Sequence, residues 1–135
     1  QAASFVYASY FIDQLPGRYQ FIIQDNGDNL SRGQAQLISF ARAICGGAEL
    51  IVLDEATSSV DSLTEQYIQQ AIANIFSLKT VIAVAHRLST IKNSDMILVL
   101  EEGQIIERGN HTELIKHGGK YARLIHQFEE ENKSG

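Results

Sequence analysis

The 135-residue sequence has a single cysteine, Cys45. One thiol leaves no internal disulfide and no multi-cysteine metal site, and it suits a reducing cytosol. Cys45 is expected to be a small buried hydrophobe. Positive charge is also short: 11 Lys and Arg face 16 Asp and Glu, a net charge of −5, and the basic residues are scattered. That pattern argues against a basic face for nucleic acid or anionic membrane. The longest apolar runs, such as Val81 to Ala85 and Met96 to Leu100, fall well short of the roughly 20 residues a membrane helix needs. The opening QAASFVYASYF has neither a basic n-region nor a cleavable apolar core, and it reads as a chain already in mid-course. What remains is ordinary: 44% hydrophobic and 20% charged residues indicate one globular domain, or part of one.

Periodicity divides the chain into alternating elements. Phe5, Ala8, Phe11 and Ile12 sit at helical spacing until Leu15-Pro16-Gly17 makes a turn, which predicts one short helix over residues 2–12. After a polar loop from Gln24 to Asn29, Leu37, Ile38, Ala41, Ile44 and Cys45 stripe the clearest helix, closed by Gly46-Gly47. Leu50 to Leu53 is a continuous β-prone run, as in a parallel strand covered on both faces, and it stops at Asp54-Glu55. Ile68, Ala71, Ile72, Ile75 and Phe76 mark another helix, for which Ser62 and Glu65 fit a capping box. Val81 to Ala85 repeats the buried-strand pattern and stops at His86. Met96 to Leu100 and Ile105-Ile106, joined through Glu102-Gly103, predict a hairpin at the sheet's edge. Asn110 and Glu113 cap a short helix, Gly118-Gly119 breaks it, and Tyr121, Leu124, Ile125 and Phe128 stripe a last one.

Strand, helix, strand, helix, strand predicts an α/β fold with a mainly parallel sheet and right-handed crossovers. Ligands of such sheets sit beyond the carboxyl ends of the strands, which puts Asp54, Glu55 and His86 along one edge. Two carboxylates leaving an apolar strand call for a partner or a metal, although a loop cap and a solvated side chain would also account for them. His86 reads either as a structural histidine or as a donor to phosphate. Together the three offer a magnesium ligand, a base and a phosphate donor, which is a phosphoryl-transfer set. A second anion site is suggested by Ser31-Arg32-Gly33-Gln34. Ser31 and Gln34 fit a capping box, but a glycine inside the first turn costs about 1 kcal/mol relative to alanine. Bare backbone at a helix N-terminus suits the close approach of a phosphate.

Four strings in order resemble one family, the nucleotide-binding domain of ATP-binding-cassette (ABC) transporters, in its exporter branch. Leu30-Ser31-Arg32-Gly33-Gln34 is similar to the family's signature sequence and Ile51-Val52-Leu53-Asp54-Glu55-Ala56 to its Walker B strand. Ser58-Ser59-Val60-Asp61 resembles its D-loop, and Ala85-His86-Arg87-Leu88-Ser89-Thr90 its switch-histidine loop. The resemblance runs through nearly the whole chain. It implies a partial P-loop NTPase-like parallel sheet with flanking helices plus part of the ABC helical subdomain. The expected parts are residues 1–47 (helical subdomain and signature helix), 48–109 (Walker B to switch-histidine core) and 110–135 (C-terminal helices).

The same resemblance implies ATP and Mg2+ as cofactors. Asp54 would hold the metal, Glu55 would serve as base or orient water, and His86 would contact the γ-phosphate. Ser31, Arg32, Gly33 and Gln34 would close over ATP held by a second nucleotide-binding domain, in a homo- or heterodimer, with Asp61 in the contact between them. For Asp61, starting the helix at Ser62 is an equal explanation, and Arg32 is either a plain exposed arginine or a charge-assisted phosphate contact. A transmembrane domain outside this sequence would be the other partner, with the module on the cytoplasmic face of the membrane, hydrolysing ATP to power export. Two further readings are a soluble ABC ATPase of DNA repair or translation, and a non-hydrolysing module that lends its signature helix in trans.

One departure from the family is large. The sequence has no G-x-x-x-x-G-K-[ST] phosphate loop: neither Gly46-Gly47 nor Gly118-Gly119 is followed by Lys-Ser or Lys-Thr. The adenine-stacking aromatic and the Q-loop glutamine, which in the family lie upstream, are missing as well. The chain therefore reads as the C-terminal part of a domain, without tight ATP binding or useful turnover on its own. It is also expected to expose apolar surface and a sheet edge.

Overall fold

The computed structural model describes residues 1–24, 27–54, 60–84 and 88–131. Contacts divide the chain into two compact units, Gln1–Ala83 and Val84–Gly135.

The first unit opens with two single-turn helices, α1 (Ala2–Phe5) and α2 (Ser9–Ile12), where the periodicity had predicted one. The break lies at Tyr7, whose φ of 60° is left-handed and cannot continue a right-handed helix. Apolar spacing alone cannot see that reversal, because Val6, Ala8, Phe11 and Ile12 are buried on both sides of it. A 3-10 turn at Arg18–Gln20 follows the Pro16-Gly17 turn.

The long helix α3 (Arg32–Cys45) runs where the stripe predicted it, with Leu37 and Phe40 buried. Cys45 in its last turn is exposed, not buried as its residue type suggested. Strand β1 (Leu50–Asp54) then leads through the 17-residue helix α4 (Ser62–Leu78) to strand β2 (Thr80–Val84), at which the first unit ends. β1 and β2 are hydrogen-bonded neighbours. The bond from Thr80 N to Glu49 O sets the two strand starts side by side, so the pair is parallel, with α4 as its crossover. Ile68, Ala71, Ile72 and Ile75 of α4 join Leu37, Phe40 and Ile51 in one core. Coverage is one-sided, contrary to the expectation of a strand buried on both faces: Ile51 is buried whereas Val52 is 67% exposed and Ile82 56%.

In the second unit, α5 (Leu88–Lys92) is a five-residue helix that the sequence pattern did not reveal. The predicted hairpin forms from β3 (Ile97–Glu101) and β4 (Gln104–Gly109), antiparallel with Glu101 opposite Gln104. Glu102 and Gly103 between them both have positive φ, 49° and 77°, the backbone of a tight two-residue hairpin turn. Instead of an edge on the β1–β2 pair, the hairpin is a two-stranded sheet of its own among the described residues. Helix α6 (His111–His117) starts on the Asn110/Glu113 capping box and ends at Gly118. In α7 (Lys120–Glu131), Tyr121 and Ile125 pack with Val99 and Leu114. Glu107 of β4 accepts from the backbone N–H groups of Lys120 and Tyr121, so a strand side chain caps α7.

Candidate functional site

Two helix starts and one strand end carry the site residues that lie within the described chain. At the start of α3, Ser31 Oγ accepts from Gln34 N at 3.2 Å and Gln34 Oε1 accepts from Ser31 N at 3.0 Å. The box is thus closed in both directions, which fixes the entry into α3. Arg32 is the first helical residue and is exposed.

Gly33 is buried, and the reason is steric. A Cβ there would run into Thr64 Cγ2 and lie 2.8 Å from Val60 Cγ1. Close approach was the reading that the sequence allowed for this glycine. Within the chain, what approaches is the beginning of α4.

At that beginning, Asp61 is the N-cap: its Oδ1 accepts from Thr64 N at 3.0 Å. This corrects the expected Ser62/Glu65 box. Ser62 already has helical geometry, and Asp61, one residue earlier in extended backbone, is the residue positioned to accept. The Thr64 backbone N–H, followed by the Thr64 hydroxyl, holds the Asp61 carboxyl below the usual carboxylate range. Of the two origins considered for Asp61, the helix start is visible within the chain.

Asp54 is the last residue of β1 and is exposed. It lies in a cleft of about 610 Å³ whose other wall is α3, including Arg32, Gln36 and Phe40, with Val60 also lining it. The first turn of α3 and the carboxyl end of β1 thus share one concavity, where open α/β sheets take ligands. Glu55 and Ala56 of the Walker B string and Ser58 and Ser59 of the D-loop string lie outside the described residues, as does His86. Among the described residues no other carboxylate joins Asp54 in a metal-holding group of three or more ligands, and Mg2+ is commonly bound through one or two carboxylates with water and substrate phosphates completing its shell, so the side chain suits that ion. Sequence reasoning missed Val60 and Thr64. Their signal was the cost of Gly33 itself, which required a neighbour at van der Waals range.

The chain is similar to proteins of known relation. Residues 10–58 match the family model described as ABC transporter. An ATP-dependent lipid A-core flippase of Aliivibrio fischeri is 48% identical over 124 residues, 92% of this chain and 21% of that protein. The flippase of the same name from Pseudomonas savastanoi pv. phaseolicola is 50% identical over 123 residues, 91% of this chain and 20% of that one. Among solved structures, a bacterial Atm1-family ABC exporter with ATP bound superposes with a TM-score of 0.80 at 37% identity, covering 93% of this chain and 22% of that chain. This chain therefore spans about a fifth of the length of the relatives it matches.

Proposed function

We propose, from the premise that this chain belongs to the nucleotide-binding domains of ABC exporters, that it supplies the signature, Walker B and switch elements of an ATPase that drives export across a membrane. The observation that carries this reading is the pair of features that such a composite site needs: an exposed carboxylate, Asp54, at the carboxyl end of a parallel strand, and a capped helix start at Ser31. Asp54 would hold Mg2+, which would supply charge neutralisation on the phosphates. Glu55 orients or deprotonates the attacking water, and His86 contacts the γ-phosphate. Ser31, Arg32, Gly33 and Gln34 present the α3 N-terminus to ATP bound on a second nucleotide-binding domain, and Asp61 stands in the contact between the two. The remaining partner is a transmembrane domain, a reading supported by the similarity to a flippase and to an ABC exporter. The similarity to a lipid A-core flippase and to an Atm1-family exporter favours export over the soluble repair or translation reading.

The test is steady-state ATP hydrolysis by a longer chain in which these residues follow a phosphate loop. Glu55→Gln is expected to lower kcat by about 10²–10⁴-fold, the range for a lost acid-base group, and to spare ATP binding. The 135 residues alone, having no such loop, are expected to show no steady turnover. Unchanged kcat in the Glu55 variant, or steady turnover by the 135-residue chain, refutes the assignment.

A further inference from the structure

Gly33 and Asp61 belong to different strings of the sequence, 28 positions apart, yet one side chain stands between them. Thr64 donates its backbone N–H to Asp61 Oδ1 at 3.0 Å. Its methyl, Cγ2, fills the space a Cβ on Gly33 would need, with Val60 Cγ1 beside it. Serine would keep the backbone bond to Asp61 but leave the space at Gly33 empty. A branched side chain is also stiff at χ1, so the two contacts are fixed relative to each other.

We propose that Thr64 is a positioning residue that ties Asp61 to Gly33, setting the start of α4 and the start of α3 as one unit. The functional consequence rests on the reading of Asp61 and Gly33 as partner-facing. A partner that pushes on Asp61 then moves the α3 N-terminus that faces the nucleotide, without any contact to α3 itself. In this unit Gly33 serves as the seat of the joint as well as a bare backbone for phosphate, and the joint does not depend on nucleotide.

Two arms test this. In the isotope-labelled 135-residue chain, Asp61→Ala is expected to shift the amide resonance of Gly33. In a Thr64→Ser background, where the cap is kept and the methyl removed, the same substitution should leave that resonance in place. A Gly33→Ala chain is expected to melt lower than the parent and to regain part of that loss on adding Thr64→Ser, which removes the nearer of the two clashes and leaves that with Val60 Cγ1. Should Gly33→Ala fail to fold, the Asp61 and Thr64 variants decide the matter. A Gly33 resonance that ignores Asp61, or that responds equally in the Thr64→Ser background, overturns the joint.

The second arm uses a longer chain with a phosphate loop. Thr64→Ser should lower kcat about tenfold, inside the 10²-fold that an ångström of misplacement can cost, with KM for ATP within about twofold. A longer chain without any ATPase activity sinks the proposed function, while the resonance arm still decides whether the joint exists. An active parent with an unaltered Thr64→Ser variant sinks the functional consequence of the joint alone.

Discussion

Replacing Ile68 by alanine should remove a large part of the stability of the first unit. Ile68 lies in the middle of α4 with 0% exposure, inside the core that also holds Leu37, Phe40 and Ile51. The substitution deletes three carbons, worth about 2.4 kcal/mol of transfer free energy at about 0.8 per buried CH2. The unfilled cavity brings the cost into the range of about 2–5 kcal/mol. A unit of 83 residues is stabilised by roughly 4–12 kcal/mol in total, at about 0.05–0.15 per residue. At about 4–8 °C per kcal/mol, a loss of about 3 kcal/mol lowers Tm by roughly 12–24 °C. The control is Leu78→Ala at the end of the same helix, where the side chain is 56% exposed and the propensity change is nearly the same. Thermal unfolding followed by circular dichroism reads both variants. A Tm for Ile68→Ala no lower than for Leu78→Ala would refute the placement of α4's apolar face.

Ser31→Ala takes away the acceptor for Gln34 N and is expected to cost about 1 kcal/mol, the usual loss for an N-cap, with faster hydrogen exchange at the Gln34 amide. Glu107 gives a pH signature. The Tyr121 N–H, and after it that of Lys120, hold the Glu107 carboxyl below the ordinary glutamate range, against the opposing effect of burial. Because its folded pKa is depressed, its contribution is present above the unfolded pKa and fades as pH falls through the folded value, from about pH 5 downward. Urea titrations across that window should show the second unit weakening towards acid, and Glu107→Gln should flatten the slope; an identical slope would contradict the cap.

Much of the architecture was legible because the apolar stripes are long and the breakers sharp. Leu37 to Cys45, Ile68 to Phe76 and the two capping boxes at Ser31 and Asn110 each combine several independent signals. The failures fall where one backbone angle or one neighbour decides. Nothing in the residue types at Tyr7 announces a positive φ. The start of α4 offered two adjacent candidates, Asp61 and Ser62, and the choice turns on which of them has extended backbone. Strand coverage at Val52 depends on elements remote in sequence, which a local pattern cannot report. For the candidate site, Asp54, Ser31 and Gln34 could be named from motif strings, whereas Thr64 required the distance to Gly33.

The exposed sulfur of Cys45 has a practical consequence. It is the sole thiol of the sequence and sits in the last turn of α3, far along the helix from the Ser31 cap. A maleimide dye or a nitroxide attached there needs no prior removal of competing cysteines. Rigidly carried by a 14-residue helix, such a reporter turns a small tilt at the capped end into a larger displacement at its own, a natural lever for following movement of α3.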